Sequence, residues 1–387
     1  MLFKRIRRFA CLLVFAATGL AQAQALQPPE VAARNYLLVD LNADQVLAER
    51  EADARIEPAS LTKLMTAYLV FDAIKDKKLS LEQTLPVSTR AWAERKGGGS
   101  LMFIDPRMTP KVDELLKGMI SVSGNDAAVA LAEGVAGSVD AFVAMMNRQA
   151  QAWGLKNTQF KNVTGLDEAG HYSSARDIAT MAMRIIRDHP NFYASYYSIR
   201  QYTFNHIKQD NRNLLLGRDP TVDGMKTGYT DSAGYCLVAS AQREFPNGKR
   251  RLLSVVLGTA SREARASESQ KLLNWGYTAW DAVRLFEDGK PALKVPVWKG
   301  ASSEAALGAP GALFVAVPHG EGDKLKTVVE RTDPLVAPLT QGQRVGTLKV
   351  TTAAGAAVTS VPLVVQQAVP EAGLLGRAWD SLRLWIK

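Results

Sequence analysis

Ser60 and Lys63 stand three residues apart at the head of the stretch EPASLTKLMTAYLVFDAIK, residues 57–75. From Leu61 to Ile74 this stretch is apolar almost all the way round. A helix with no polar face is normally buried, and a lysine buried with it is expensive unless something holds it. The spacing offers a chemical reason for it. Positions i and i+3 share a helix face, so a helix beginning at Leu61 points the Ser60 hydroxyl and the Lys63 ammonium the same way. A serine is a poor nucleophile until a base takes its proton. A lysine desolvated in an apolar wall, near another cation, can have its pKa lowered far enough to be that base. The helix N-terminus adds positive potential and a free backbone N–H for a developing oxyanion. Alone, Ser-x-x-Lys is also what a helix cap followed by a snorkelling lysine looks like.

Two further stretches bear on the same chemistry. SVSGNDAAVALAE sets Ser123-Gly124-Asn125 just before an alanine-rich helix, where an ordinary turn and N-cap would look the same. VDGMKTGYTDSAGYCLVAS sets Lys226-Thr227-Gly228 at the start of a strand, where a solvated strand end with a glycine bulge would also do. The three motifs in this order are far more specific than any one of them. Ser-x-x-Lys, Ser-Asp-Asn and Lys-Thr-Gly together mark penicillin-binding proteins and class A β-lactamases. Here the middle motif departs from that pattern, reading Ser-Gly-Asn.

The resemblance extends beyond the triplets. EPASLTKLMTAYLV, SLMF, SGNDAAVALAE, FNHIKQDNRNLLL, VDGMKTGYTDSAGYCLVAS and ESQKLLNWG resemble the low-molecular-mass penicillin-binding proteins that act as serine-type D-alanyl-D-alanine carboxypeptidases. The likeness runs from about residue 30 to the C-terminus. It implies that Ser60 is the acylated nucleophile, that Lys63 is its base and that Ser123 relays protons to the leaving D-alanine. Asn125 would hold the substrate amide and Lys63. Lys226 would supply positive charge near Ser123 and help lower the Lys63 pKa. Thr227 and Arg212 would receive the substrate carboxylate, and the N–H groups of Ser60 and Tyr229 would form the oxyanion hole beside Gly228. Some relatives carry histidine at the position of Tyr229. Gly98-Gly99-Ser100 would border the site, and the run of three glycines suggests mobility there. The implied substrates are peptidoglycan stem peptides ending in D-Ala-D-Ala, the implied inhibitors are β-lactam antibiotics, and no cofactor or metal is called for.

Three rivals keep the same residues or lose them. A β-lactamase needs fast deacylation, which class A enzymes obtain from a positioned glutamate. Glu168 in GLDEAGHYSS is the available carboxylate, but its surroundings match the carboxypeptidases better. A D,D-endopeptidase shares every motif and differs in whether a cross-link fits the site. A non-catalytic wall-binding protein predicts broken motifs, and all three are intact.

These residues need elements to hold them. YLLVDLNADQVLAER reads as a hairpin turning at Asn42-Ala43-Asp44. The middle of the chain is helical, with SVDAFVAMMNRQAQAWG running from Ser138 to Gly154 and SSARDIATMAMRIIRDHP carrying a Ser174-x-x-Asp177 cap. GYCLVASAQRE and RLLSVVLGT face each other across Pro246-Asn247-Gly248, and ESQKLLNWGYTAWDAV reads as a closing helix. Strands at both ends with helices between them predict one antiparallel sheet with helices packed on it, an α+β fold. After about Leu285, short runs such as ALFVAV, LKTVVE and RVGTLKV predict a small all-β domain. The expected organisation is an export signal over 1–25, a D,D-peptidase domain over 26–284, an all-β domain over 285–369 and an amphipathic helix over 370–387.

The two ends of the chain speak to location. Lys4, Arg5, Arg7 and Arg8 precede an apolar run, Phe9 to Leu20, too short to span a bilayer, and then overlapping Ala-x-Ala sites at residues 21–25. The net charge of +9 falls to +5 without those four cations, and no Lys/Arg-rich block suggests nucleic acid. Cys11 leaves with the signal, so Cys236, in an apolar run, has no partner and reads as a small buried hydrophobe. The four histidines are scattered and show no metal spacing. In EAGLLGRAWDSLRLWIK, residues 371–387, the apolar side chains from Leu374 to Ile386 fall within an arc of about 140°, with only Leu384 out of place. Such a helix suits the headgroup layer of a membrane. With the resemblance, it implies attachment to the outer face of the inner membrane, in the periplasm. A helix packed on the β-domain is the other expectation.

Overall fold

The computed structural model describes residues 26–246 and 248–386, and the side chains through Trp385. The export segment expected over 1–25, Asn247 of the expected turn, the Ile386 side chain and Lys387 lie outside them.

Strand β1 (Asn35–Asp40) is buried along its whole length, so both faces of the sheet are covered there. Side chains alternate across a strand. Leu37 and Val39 enter one apolar cluster, and Tyr36 and Leu38 enter another. Strand β2 (Gln45–Arg50) folds back on β1 as the sequence predicts. A short exposed hairpin, β3 (Gln201–Phe204) and β4 (Ile207–Asp210), follows the helical region. Then come β5 (Val222–Thr230), β6 (Gly234–Phe245) and β7 (Gly248–Thr259). The sheet order is β2-β1-β7-β6-β5, antiparallel throughout, so the two ends of the domain meet at β1–β7 and β5 is an edge.

Helices cover both faces. Lys63–Lys75, Val112–Ser121, Asn125–Ala136, Val139–Ala152 and Ala175–Asp188 pack with Leu37, Val39 and Val255. Ser138 and Ser174 cap their helices as expected, each hydroxyl accepting from the N–H three residues on. The Asp177 carboxylate does not return to its own helix. It accepts from Asn157 N–H and the Thr158 hydroxyl and fixes that loop.

On the other face lies the helix Arg262–Ala279. A Cβ on Gly276 would come within 2.7 Å of Leu38 and 2.8 Å of Leu252, so glycine lets this helix sit close to the sheet. The closing helix thus begins earlier than expected and ends earlier too. Trp280–Val283 belong to strand β8 (Trp280–Phe286). Pairing with β11 decides this: Trp280 lies opposite Pro318 and Val283 opposite Val315.

The remaining strands are β9 (Leu293–Trp298), β10 (Glu304–Gly308), β11 (Leu313–Pro318), β12 (Lys326–Arg331), β13 (Leu335–Val336), β14 (Arg344–Thr351) and β15 (Ala357–Val365). They form a six-stranded sheet, β12-β14-β15-β10-β9-β13, beside the β8–β11 pair. Val295, Leu307, Leu348 and Leu363 give this region a core of its own.

The C-terminal helix Leu374–Ile386 is docked the opposite way to most amphipathic helices. Its polar side meets the end of β9. The Asp380 carboxylate accepts from Lys299 N–H at 2.7 Å, and the Arg383 guanidinium lies over the Trp298 ring. Leu374, Leu375, Trp379, Leu382 and Trp385 face outward, with Leu375 89% and Trp385 85% exposed. Among the described residues no single helix is long and apolar enough to cross a membrane.

A buried ion pair joins the ends of the larger sheet to β8. Arg250 Nε donates to Asp40 at 2.7 Å with both side chains at most 1% exposed, and Arg250 also donates to the Trp280 carbonyl. The other Asp40 oxygen accepts from Asn42 and Ala43 N–H and shapes the predicted turn. Removing one partner of such a pair strands the other charge in the core. Asp40→Ala is therefore expected to cost about 3–5 kcal/mol, measured by denaturant unfolding. Asp40→Ala combined with Arg250→Leu is expected to cost less than Asp40→Ala alone.

Candidate active site

Ser60 sits in a short 3-10 turn, Ala59–Thr62, that runs straight into the helix Lys63–Lys75. The turn is tightly held. Ala59 has a positive φ of 48°, a conformation that costs a non-glycine residue energy and needs surroundings that enforce it. Two glycines do so by allowing backbone to approach backbone. A Cβ on Gly165 would lie 1.8 Å from the Ala59 carbonyl oxygen. A Cβ on Gly228 would lie 3.1 Å from the Ala59 Cβ. The turn is thus wedged between the loop after Val163 and the edge strand β5.

The Lys63 side chain is 1% exposed. Its amine donates to Ser60 Oγ at 2.9 Å, Asn125 Oδ1 at 2.7 Å and the Thr164 carbonyl at 2.6 Å. Burial is the main force on its pKa and brings it down to about 7. Arg212 pushes the same way, and Glu94 and Asp126 push back. The expected contribution of cations to this shift comes here from Arg212.

Ser123 and Asn125 bracket the start of the helix Asn125–Ala136. Ser123 has a φ of 65°. Its hydroxyl accepts from Lys226 Nζ at 2.9 Å, and that amine also donates to the Thr227 carbonyl. Lys226 is pushed well below the ordinary lysine range by burial first, then by Lys63, Arg212 and Arg265. An ammonium on Lys63 thus disfavours one on Lys226. The glycine of Ser-Gly-Asn has a packing reason: a Cβ on Gly124 would lie 2.9 Å from Met102 N and from the Asp126 carboxylate.

Lys226-Thr227-Gly228 lies in the second half of β5 rather than at its start, because the strand begins at Val222. As an edge strand, β5 presents unpaired backbone groups to the turn. Thr227 is buried, while Tyr229 is about half exposed, its hydroxyl donating to Asp231 and its ring against Tyr235. Ser60, Ser123, Asn125, Arg212, Thr227 and Tyr229 all line one cavity of about 210 Å³, with Gly98, Gly99 and Ser100 on its rim. Gly99 lies so close to Asn125 that a Cβ would come within 2.2 Å of Nδ2. Arg212 stands at the exposed rim, its pKa lowered by desolvation and by Arg262. Glu168 does not reach the cavity; it accepts from Asn162 Nδ2 at the surface. Cys236 is fully buried, and burial pushes its thiol up to about 11.

Several site residues escape sequence reasoning. Thr164 contributes only a carbonyl, which no side-chain pattern reveals. Asp126 accepts from the N–H groups of Met102, Phe103 and Ile104 and ties the SLMF stretch to the Asn125 helix. Like Lys63, Asp126 is a charge at the head of an apolar helix, and that signal is present in the sequence. Arg262 and Arg265 both line the cavity, and Arg265 donates to the Gly228 and Arg212 carbonyls. Nothing in SREARASE marks either. Among the described residues no group of His, Cys, Asp and Glu comes together that could hold a metal.

An amine with a serine hydroxyl, a second hydroxyl–amine pair and a carboxylate-sized basic rim suit acyl transfer at a peptide C-terminus. Comparison with known proteins agrees. Residues 22–261 match the D-alanyl-D-alanine carboxypeptidase family model, and residues 280–371 match that of the penicillin-binding protein 5 C-terminal domain. The chain is 44% identical to D-alanyl-D-alanine carboxypeptidase DacA of Escherichia coli, over 92% of this chain and 88% of that one. The solved structure of penicillin binding protein 5 from Haemophilus influenzae superposes with a TM-score of 0.84 at 41% identity, covering 89% of this chain and all 100% of that one. Penicillin-Binding Protein D2 from Listeria monocytogenes, solved in its ampicillin-bound form, superposes with a TM-score of 0.58 at 33% identity, over 65% of this chain and 100% of its own. The chain belongs to the D-alanyl-D-alanine carboxypeptidase family.

Proposed function

We propose that this chain is a serine-type D-alanyl-D-alanine carboxypeptidase that trims the terminal D-alanine from peptidoglycan stem peptides, and that β-lactams acylate the same serine. The observation that carries the reading is the buried Lys63 amine, 2.9 Å from Ser60 Oγ and lowered to about 7. Above that pH the amine is neutral and can take the Ser60 proton. Ser60 Oγ then attacks the penultimate carbonyl carbon, and the oxyanion is received by the N–H groups of Ser60 and Tyr229. Ser123 passes its proton to the departing D-alanine nitrogen as the C–N bond breaks and regains one from Lys63, which returns to the neutral amine. Water then cleaves the ester on Ser60 with Lys63 again as base. Thr227, Lys226 and Arg212 hold the substrate carboxylate. That anion also favours the charged form of Lys226, since an opposite charge raises a lysine pKa. A β-lactam presents the same carboxylate and acyl centre, and its retained ring fragment hinders water.

The location is part of the proposal. Residues 1–25 export the chain, and residues 371–387 hold it to the outer face of the inner membrane. The support is the outward apolar face of the docked helix. Each large side chain it offers is worth about 1.5–3 kcal/mol on full burial.

Three outcomes follow. Labelled penicillin is expected to mark wild type and not Ser60→Ala, and wild type is expected to release D-alanine from a D-Ala-D-Ala peptide. Labelling that survives Ser60→Ala would remove the nucleophile assignment, and cleavage confined to cross-linked peptides would favour the endopeptidase. Acylation by wild type is expected to rise with pH through about 7 and then level off, because deprotonation creates the base. Lys63→Arg keeps its proton and is expected to lose acylation at every pH tested while remaining folded. Deleting residues 371–387 is expected to move the protein from the membrane to the soluble fraction with its carboxypeptidase activity intact, and fractionation of wild type as wholly soluble would overturn the anchor.

A further inference from the structure

His171 lies outside the catalytic motifs, and the mechanism above does not use it. It is 4% exposed, and both of its ring nitrogens are engaged. The Lys161 backbone N–H points at Nδ1 at 3.0 Å, and the Thr62 hydroxyl lies 2.8 Å from Nε2. These two contacts fix the tautomer. A backbone N–H can only donate, so Nδ1 is the acceptor and the ring proton sits on Nε2. Nε2–H therefore donates to Thr62 Oγ1. Burial supports this neutral form by pulling the imidazole pKa down to about 4, against the opposing pull of Glu168 and Asp167.

Thr62 is the last residue of the Ser60 turn and directly precedes the Lys63 helix. It occupies the N-cap position, where a threonine hydroxyl commonly binds a backbone N–H of the first turn. Here it makes no cap bond, and its hydroxyl is turned to His171 instead. The surrounding loop grips the same few residues twice more. Thr66 Oγ1 donates to the Val163 carbonyl at 2.9 Å, and Lys63 Nζ to the Thr164 carbonyl at 2.6 Å. Of these three links, the one through His171 acts directly on the turn that sets the distance between Ser60 Oγ and Lys63 Nζ.

We infer that His171 is a positioning residue for the nucleophile: its Nε2–H bond to Thr62 holds the 3-10 turn in the register that places Ser60 against Lys63. This rests on Ser60 being the acylated residue. Two substitutions separate the two ring contacts. His171→Asn keeps an acceptor for Lys161 N–H but does not reach Thr62. His171→Gln keeps a donor for Thr62 and gives up the Lys161 contact. Thr62→Val removes the acceptor with little change of shape.

The test is the acylation rate constant of the full chain with fluorescent penicillin, normalised to titrated active sites so that loss of folded protein does not count. Misplacing a reacting group by a fraction of an ångström to an ångström costs up to about 100-fold. His171→Asn and Thr62→Val are each expected to slow acylation by about 10- to 100-fold, and His171→Gln to stay within about threefold of wild type. The double variant His171→Asn/Thr62→Val is expected to be no slower than either single one, because both break one link. A wild-type rate in Thr62→Val or His171→Asn would overturn the proposal, as would equal losses in the Asn and Gln variants. If the histidine variants do not fold, Thr62→Val decides alone. Wild type labelled somewhere other than Ser60 would bring down the parent reading. Wild type labelled at Ser60 with unchanged variants would bring down only the role of His171.

Discussion

A lysine amine enclosed by three oxygens and closed off from water constrains every element around it. Burying an ammonium costs several kcal/mol even after relaxation. Lys63 offsets part of this with bonds to Ser60, Asn125 and the Thr164 carbonyl, and hydrogen bonds to charged groups are worth about 1.5–3 kcal/mol each. The remainder is met by giving up the proton more readily. The same burial that strains the fold therefore brings the amine down to about 7. Each of the three acceptors comes from a different segment, so the turn, the Asn125 helix and the Thr164 loop must all be in place together.

The sheet provides the fixed frame for that arrangement. Strand β5 is an edge, and an exposed edge is normally a liability. Here the Ser60 turn lies against it, close enough that Gly228 could not carry a side chain without meeting Ala59. The cavity opens along this same edge, lined by Thr227, Gly228, Tyr229 and Thr230. Behind it, Arg265 ties the Gly228 and Arg212 carbonyls to the closing helix, so the floor of the cavity is braced from the opposite face of the sheet. The brace and the cavity share these residues, so a change in the brace would be felt at Ser60.

The all-β region has its own core and contributes no residue to the cavity. Its contact with the larger domain includes the buried Asp40–Arg250 pair reaching the Trp280 carbonyl. At its far end the terminal helix spends its polar side on β9 and leaves its apolar side outward. A helix docked in this way is positioned rather than buried. Under the proposed anchoring, the β-strands would lie between the surface that accepts this apolar side and the larger domain.

Much of this was legible in the chain because the signals were local. A charge inside an apolar helix, an i, i+3 pair and three short motifs in order pointed to Ser60, Lys63, Ser123, Asn125, Lys226 and Thr227; Ser60, Ser123, Asn125 and Thr227 line the cavity, and the two lysines are bonded to Ser60 and Ser123 behind it. The Asn42–Asp44 turn and the Ser138 and Ser174 caps were equally readable, because turn and cap chemistry depends on a few adjacent side chains. The end of the closing helix was not. Trp280–Val283 fit a helical pattern, and only pairing with a strand more than thirty residues away, at Leu313–Pro318, makes them β. The Thr164 carbonyl and the His171–Thr62 link were invisible for a related reason. A backbone acceptor has no residue type, and a contact across more than one hundred residues leaves no spacing to read. Sequence by itself determined which groups could do the chemistry, since reactivity belongs to residue types. Tertiary structure decided which of them are desolvated, what each one touches and therefore which lysine can lose its proton, since burial and distance belong to the fold.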